Sequence, residues 1–193
     1  MVISMATFKW KQSSDSAKFI EILGIVEPHD EERKAILQCI KYGVYYRAFI
    51  ALDIGDNVVA IAIAILLPRT QTLHVEDFAL HPRIRKLGYA RQLWDDWRTL
   101  IHSTWTTTNS LTIEVYLHNV EPWRKIMDVS ELVSQPLRLL PLVPDVPMML
   151  MGHNLTAPVS DIFEEWQEIQ REATALLKKL KGSAAHTTPR SRL

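Results

Sequence analysis

The chain has 193 residues, 47% of them apolar, and its 22 Lys and Arg are balanced by 22 Asp and Glu. That size suits one domain of ordinary size with additions, and the balance leaves no bulk field to favour nucleic acid or an anionic membrane. A single cysteine, Cys39, excludes an internal disulfide and fits a reducing compartment. The start, MVISMATFKWKQ, lacks the basic n-region and long apolar core of a secretory signal. The longest apolar run, Val58 to Leu67, is too short to span a bilayer. A cytoplasmic protein is expected.

In chain order, Ala6 to Lys11 can form a first strand. Ser13, Ser14 and Asp15 are N-cap residues ahead of a helix carrying Ala17, Phe19, Ile20, Ile22 and Leu23, closed by Gly24 and Pro28. Asp30, Glu31 and Glu32 open a second helix at its favourable end, with Ala35, Ile36, Cys39 and Ile40 as its buried stripe. Cys39 there reads as a buried, inert thiol. Val44 to Ile54 and Asn57 to Leu67 are strand-like runs around the hairpin turn Gly55-Asp56-Asn57. The second is apolar on both faces, as a central strand covered on both sides must be.

Leu73 to Leu80 reads as the third strand of a meander. Leu73, Val75, Asp77 and Ala79 would share one face and His74, Glu76, Phe78 and Leu80 the other, an alternation made imperfect by acids on both. Pro82 stops the ladder because it has no N–H to donate. After Gly88, apolar residues at Ala90, Leu93, Trp94, Trp97, Leu100 and Ile101 make one helical stripe. Between strand and helix lie Arg83, Arg85 and Lys86, then Gly88 and Ala90. Such a turn offers unpaired N–H groups and the positive end of a helix dipole. It is either a phosphate or pyrophosphate site or a solvated basic turn.

Arg85-Lys86-Leu87-Gly88-Tyr89-Ala90, after a strand and opening an amphipathic helix, resembles the acyl-CoA signature of the GNAT superfamily of N-acyltransferases, (Arg/Gln)-x-x-Gly-x-(Gly/Ala). The resemblance implies an α/β (α+β) GNAT fold: a mixed, mostly antiparallel sheet of six or seven strands flanked by helices. It also implies acetyl-CoA or another acyl-CoA as co-substrate. The turn from Arg85 to Arg91 would hold its pyrophosphate, with Arg83, Lys86 and Arg91 as peripheral cations. Backbone N–H groups around Phe78, Ala79 and Leu80 would polarise the thioester. In the family the sheet splays between this strand and the next, here Leu111 to Leu117, and Asn119 stands where an asparagine often follows. The helices after Ser13 and Asp30 would wall the acceptor site.

Acyl transfer to an amine needs a base on the strand face that looks into the cleft. Glu76 is the first candidate and His74 the second, with the alternative that one of them only pairs with a neighbouring strand. Glu114, on the next strand, could bind a cationic amine. His81 and His118 read as loop-end residues. One departure from the family pattern stands out. Many members carry a tyrosine near the leaving thiolate and then Gly-Phe, whereas this chain has Ile126 followed by Asp128-Val129. Nothing in the spacing of Cys, His or acids indicates a metal site.

Pro122 to Met127 reads as a short helix, Pro136 to Pro147 as irregular structure or short edge strands, and Pro147 to Met151 as a closing strand. Met148, Met149 and Met151 are either core or the lining of an acyl pocket. Ser160 would cap a last helix from Asp161 to about Leu180, striped with Ile162, Phe163, Trp166, Ile169, Ala173, Leu176, Leu177 and Leu180. The expected organisation is a GNAT domain over 1–157, this helix over 158–181, and a disordered tail over 182–193. The helix either packs back on the domain or pairs between subunits of a homodimer. The motif also resembles that of protein amino-terminal acetyltransferases, so the amine acceptor is a peptide or protein rather than a small molecule, if either is preferred. Two rivals remain: an acyl-CoA-binding protein with weak catalysis, and an interaction module using the last helix.

Overall fold

The computed structural model of the chain describes residues 7–13, 16–26, 30–42, 45–108, 110–116, 119–127, 131–133 and 148–185. Among the described residues seven strands form one sheet in the order β1-β2-β3-β4-β5-β7-β6, where β1 is Lys9–Gln12, β2 Tyr46–Leu52, β3 Val58–Leu67, β4 Thr72–Leu80, β5 Ser110–Tyr116, β6 Glu131–Val133 and β7 Met148–His153. Every pairing is antiparallel except β4 with β5. The helices are α1 (Ser16–Val26), α2 (Asp30–Tyr42), α3 (Ala90–Thr104), α4 (Val120–Met127) and α5 (Val159–Ala185). No described helix is long and apolar enough to cross a membrane.

The layering follows from β3. Its alternating Ala and Ile residues send Ala60, Ala62 and Ala64 to one face and Ile61, Ile63 and Ile65 to the other, all fully buried. The small alanines leave room for large partners, and the indoles of Trp94 and Trp97 on α3 fill it. The isoleucine face is covered by Phe19, Ile22 and Leu23 of α1, Cys39 of α2, and Ile162, Trp166 and Ile169 of α5. Cys39 is buried, and desolvation pushes its thiol up to about 11, which leaves it protonated and unreactive. Trp10 Nε1 donates to the Leu93 carbonyl at 2.9 Å, tying edge strand β1 to α3.

Several expected boundaries shift. The hairpin strands are shorter than their apolar runs because Asp53 folds the turn itself, its Oδ1 accepting from the N–H groups of Gly55 and Asn57 at 2.9 and 3.0 Å. Helix α1 continues through Gly24 to Val26, and α4 starts at Val120 rather than Pro122. Strand β6 was not anticipated; 134–147 and His118 lie outside the described residues. Helix α5 begins at Val159, so Ser160 is not its cap: the Pro158 carbonyl accepts the first bonds, and Ser160 Oγ donates to Asp161. It runs to Ala185, so 182–185 are helical rather than part of a tail.

Ile162, Trp166 and Ile169 of α5 are buried in the cluster on the isoleucine face of the sheet, with Phe163, Ala173 and Leu177 packed against it. A second attachment is polar. The buried carboxylate of Glu165 accepts from the N–H of Arg69 at 2.6 Å, the N–H of Thr70 at 2.9 Å and the hydroxyl of Thr70 at 2.7 Å, clasping the β3–β4 turn. Three donors satisfy a charge that burial would otherwise penalise heavily. Glu165→Ala should strand these donors and lower the unfolding free energy by about 2–4 kcal/mol, read from the denaturant midpoint at unchanged m-value.

Candidate active site

Parallel pairing of β4 with β5 covers only Thr72 to Val75 against Ser110 to Ile113. Beyond that point β4 stays on β3 as far as Leu80 while β5 stays on β7 as far as Tyr116, so the two strands part. A bulge marks the place. Ile63 pairs with Asp77 and Ala64 with Val75, which leaves Glu76 as one extra residue in β4. The extra residue also corrects the expected face assignment. Leu73, Val75, Phe78 and Leu80 lie on the α3 face, whereas His74 and Ala79 lie on the face covered by α1, α2 and α5.

The open edge carries unspent backbone. His81 N–H donates to Val59 O at 2.8 Å, so the alternation of the strand turns the N–H groups of Phe78 and Leu80 away from β3 toward the gap. In agreement, the Leu80 carbonyl accepts from Arg85 Nε at 2.9 Å. On the α3 side the Phe78 ring packs edge-on against Trp94 and Trp123, with centroids 5.1 and 5.8 Å apart. Ile126, where many family members have a tyrosine, is half-buried against the same cluster. Asn119 sits half-buried at the residue before α4.

The basic turn follows at once. Pro82–Ile84 is a single 3-10 turn, with His81 Nδ1 accepting from Arg83 N–H at 3.2 Å. Lys86 and Gly88 then adopt positive φ, 64° and 85°. The first bond of α3 runs from Leu93 N–H to Tyr89 O, so the N–H groups of Ala90 and Arg91 precede the helical ladder. A Cβ built on Gly88 would meet nothing within 4 Å, so the space above the turn is open. Arg85, Lys86, Leu87 and Arg91 are exposed around it, and Tyr89 and Ala90 half-buried. These residues fit a pyrophosphate: open backbone donors, a dipole end and cations at the rim. Arg83 is the exception among the expected cations. It turns to the β2–β3 hairpin, where its Nη2 meets Asp53 Oδ2 and the Val58 carbonyl, each at 3.2 Å. Arg91 reaches across to the Lys125 carbonyl and so links α3 to α4.

On the other face, at the point of parting, stand the titratable groups. His74 is buried, its Nδ1 3.0 Å from Thr112 Oγ1 and its ring 5.4 Å from that of Trp166. Burial pushes this imidazole down to about 3, so it is neutral. Its Nε2 lies 3.8 Å from Glu76 Oε2, too far for a hydrogen bond. The Glu76 side chain is 19% exposed. Desolvation first, and the nearby Glu114 second, push its carboxyl up to about 8. Glu114 follows Thr112 on the same face of β5, and burial raises it to about 7. Oε2 of Glu76 and Oε1 of Glu114 are buried without a hydrogen-bond partner. Two carboxyls that are both costly to ionise here would welcome an arriving cation.

Trp166, Gln170 and Tyr46 also belong to this cluster, and sequence patterning does not reveal them. Trp166 reads there only as part of an apolar stripe, and Tyr46 only as a strand residue. Among the methionines, Met151 is fully buried in the core, and the side chains of Met148 and Met149 fall outside what is described. Among the described residues no group of His, Cys, Asp and Glu could hold a metal.

Residues 10–102 match the family model described as the Acetyltransferase (GNAT) family. No curated protein gives a significant sequence match. Among solved structures, a spermidine N-acetyltransferase from Vibrio cholerae in complex with CoA and spermine is similar, with TM-score 0.56 and 13% identity over 76% of this chain and 94% of that one. A dodecameric form of the same enzyme gives TM-score 0.54 and 16% identity over 76% and 92%. A sheet parted at this point and followed by this turn agrees with that match, and residues 10–102 of the chain are similar to the GNAT family of acetyltransferases.

Proposed function

We propose that the protein moves an acyl group, acetyl in the first instance, from acyl-CoA directly to a primary amine, with Glu76 as the base. The observation that carries the reading is the placement of two buried, unpartnered carboxyl oxygens where β4 and β5 part. Backbone N–H groups of the turn from Arg85 to Arg91 hold the pyrophosphate, with Lys86 and Arg91 at its rim. The open-edge N–H groups of Phe78 and Leu80 face the thioester carbonyl and stabilise the negative charge that develops on it. Asn119 flanks the same gap. Glu114 receives the incoming ammonium.

Magnitudes favour Glu76 over His74. An alkylammonium has a pKa of about 10.4, so passing its proton to an ordinary carboxylate near 4.3 costs about 8 kcal/mol. Passing it to a carboxylate raised to about 8 costs only about 3 kcal/mol. His74, lowered to about 3 and held by Thr112, is a poorer base than either. In the transfer, Glu76 takes one proton from the ammonium, the amine nitrogen bonds to the acyl carbon, the carbon–sulfur bond breaks, and the second proton that the nitrogen sheds neutralises the departed thiolate. A thiol pKa of about 8.5 lets the thiolate leave without a dedicated acid at slightly alkaline pH, which suits a chain with Ile126 in place of tyrosine.

The acceptor approaches as a cation, and the spermine held by the Vibrio cholerae enzyme is of that kind. A peptide amino terminus would satisfy the same carboxyls. An acylation screen of polyamines against N-terminal peptides separates the two.

Calorimetric titration with acetyl-CoA should give a one-site isotherm. Gly88→Glu, which sets a carboxylate into the open space over the turn, should abolish it. No binding of acetyl-CoA or a longer acyl-CoA by the unaltered protein would sink the reading. The kcat/KM profile should rise with pH to a plateau above about 8, and Glu76→Gln should flatten it while lowering kcat about a hundredfold or more. Stability should respond in the opposite sense. Because the folded-state pKa of Glu76 is raised, its favourable contribution is complete at low pH and lost as pH climbs through about 8. Glu76→Gln should therefore melt higher than the unaltered protein at pH 9 and lose that advantage at pH 5.

A further inference from the structure

Helix α5 lies beyond the family match, which ends at residue 102, yet it brings two polar side chains to the acid cluster. Trp166 and Gln170 are both buried, at 5% and 6% exposure. They are four residues apart and so stand on one face of the helix. Gln170 has a fixed orientation. The Tyr46 hydroxyl donates to its Oε1 at 3.4 Å, and burial raises that phenol well above its ordinary range, so it stays a donor. With Oε1 engaged, the amide Nε2 is the group left over. Gln170 Nε2 and Trp166 Nε1 are both buried donors without a hydrogen-bond partner, and Glu76 Oε2 is a buried acceptor in the same condition. Leaving two donors and an acceptor unpaired in the interior is costly, unless ionisation of the carboxyl lets them close on it.

We propose that Trp166 and Gln170 are positioning residues that hold the ionised carboxylate of Glu76, so that the C-terminal helix completes the active site. This rests on Glu76 as the base. The neutral acid has little call on two N–H donors, but the anion does, and charge-assisted bonds are the stronger kind. Both side chains already oppose the burial that raises Glu76. The other titratable groups facing Glu76 are His74 on β4, Glu114 on β5, Tyr46 on β2 and Cys39 on α2. His74 is neutral, Glu114 opposes the anion, and Tyr46 and Cys39, whose ionisation Glu76 itself disfavours, stay protonated and uncharged. Trp166 and Gln170 are the donors that remain among the described residues.

The test separates positioning from catalysis. Carbon-13 labelling of glutamate side-chain carboxyls follows each titration by NMR in the full chain, and Glu76→Gln assigns the Glu76 signal by its disappearance. Trp166→Phe keeps a ring in the stripe but removes the N–H, and Gln170→Leu removes the amide at similar volume. Each should raise the Glu76 midpoint by about one pH unit, and the rising limb of kcat/KM should follow it while KM for acyl-CoA holds. A Glu76 midpoint unmoved in either folded variant, with thermal melting as the check on folding, overturns the proposal. A midpoint that moves while the pH–rate profile does not supports the positioning role and removes Glu76 as the base. If one variant fails to fold, the other decides alone.

Discussion

Between Val75 and Asp77, strand β4 carries one residue more than β3 can pair. The surplus residue is Glu76, and the face on which every later side chain of the strand stands depends on it. Before the bulge His74 belongs to the α1–α2–α5 side; after it Phe78 and Leu80 have swapped to the α3 side. The added twist comes where β4 leaves β5, so one local irregularity accompanies the opened gap, the freed backbone edge and a carboxyl at the apex. A regular strand would have put Phe78 among the acids and closed the edge with hydrogen bonds.

Around this the packing is asymmetric, and the asymmetry has a plain cause. Alanines on one side of β3 admit the indoles of α3, and isoleucines on the other meet α1 and α5. The turn over which pyrophosphate would sit is therefore carried by a helix bolted to the sheet by Trp94 and Trp97. The acid cluster has the opposite character. Its members come from β2, β4, β5 and α5, and their polarity is only partly satisfied. Burial raises both carboxyls, and the same burial makes a cation at that point favourable. Stability and proton affinity are here two aspects of one desolvation cost.

Legibility in the sequence divides along the range of the interactions. The strand, the glycine turn and the stripe of α3 depend on residues close in sequence, and their order and character are plain from it. So is the all-round burial of β3. The bulge is not, although the acids at Glu76 and Asp77 that spoil the alternation are its trace. Arg83 is a cation in composition, but its pairing with Asp53 needs the folded hairpin. Trp166 and Gln170 show what periodicity misses: a stripe tells which side of a helix is buried and nothing about where an indole N–H or an amide points. Ser160 failed as a cap because the Pro158 carbonyl already accepts the first bonds.

The Glu165 clasp joins residues 96 and 95 apart in the chain, and the Tyr46–Gln170 bond spans 124. Strand β4, the glycine turn and α3 are contiguous in sequence. Long loops close late, because their entropy is lost before their contacts repay it. The two parts of the candidate site thus differ in kind as folding units: the glycine turn can form from its own neighbourhood, whereas the environment of Glu76 exists only once the last helix has docked. Any condition that loosens α5 alone, short of unfolding the sheet, would leave the glycine turn and α3 in place while the Glu76 carboxyl returned toward an ordinary acidity.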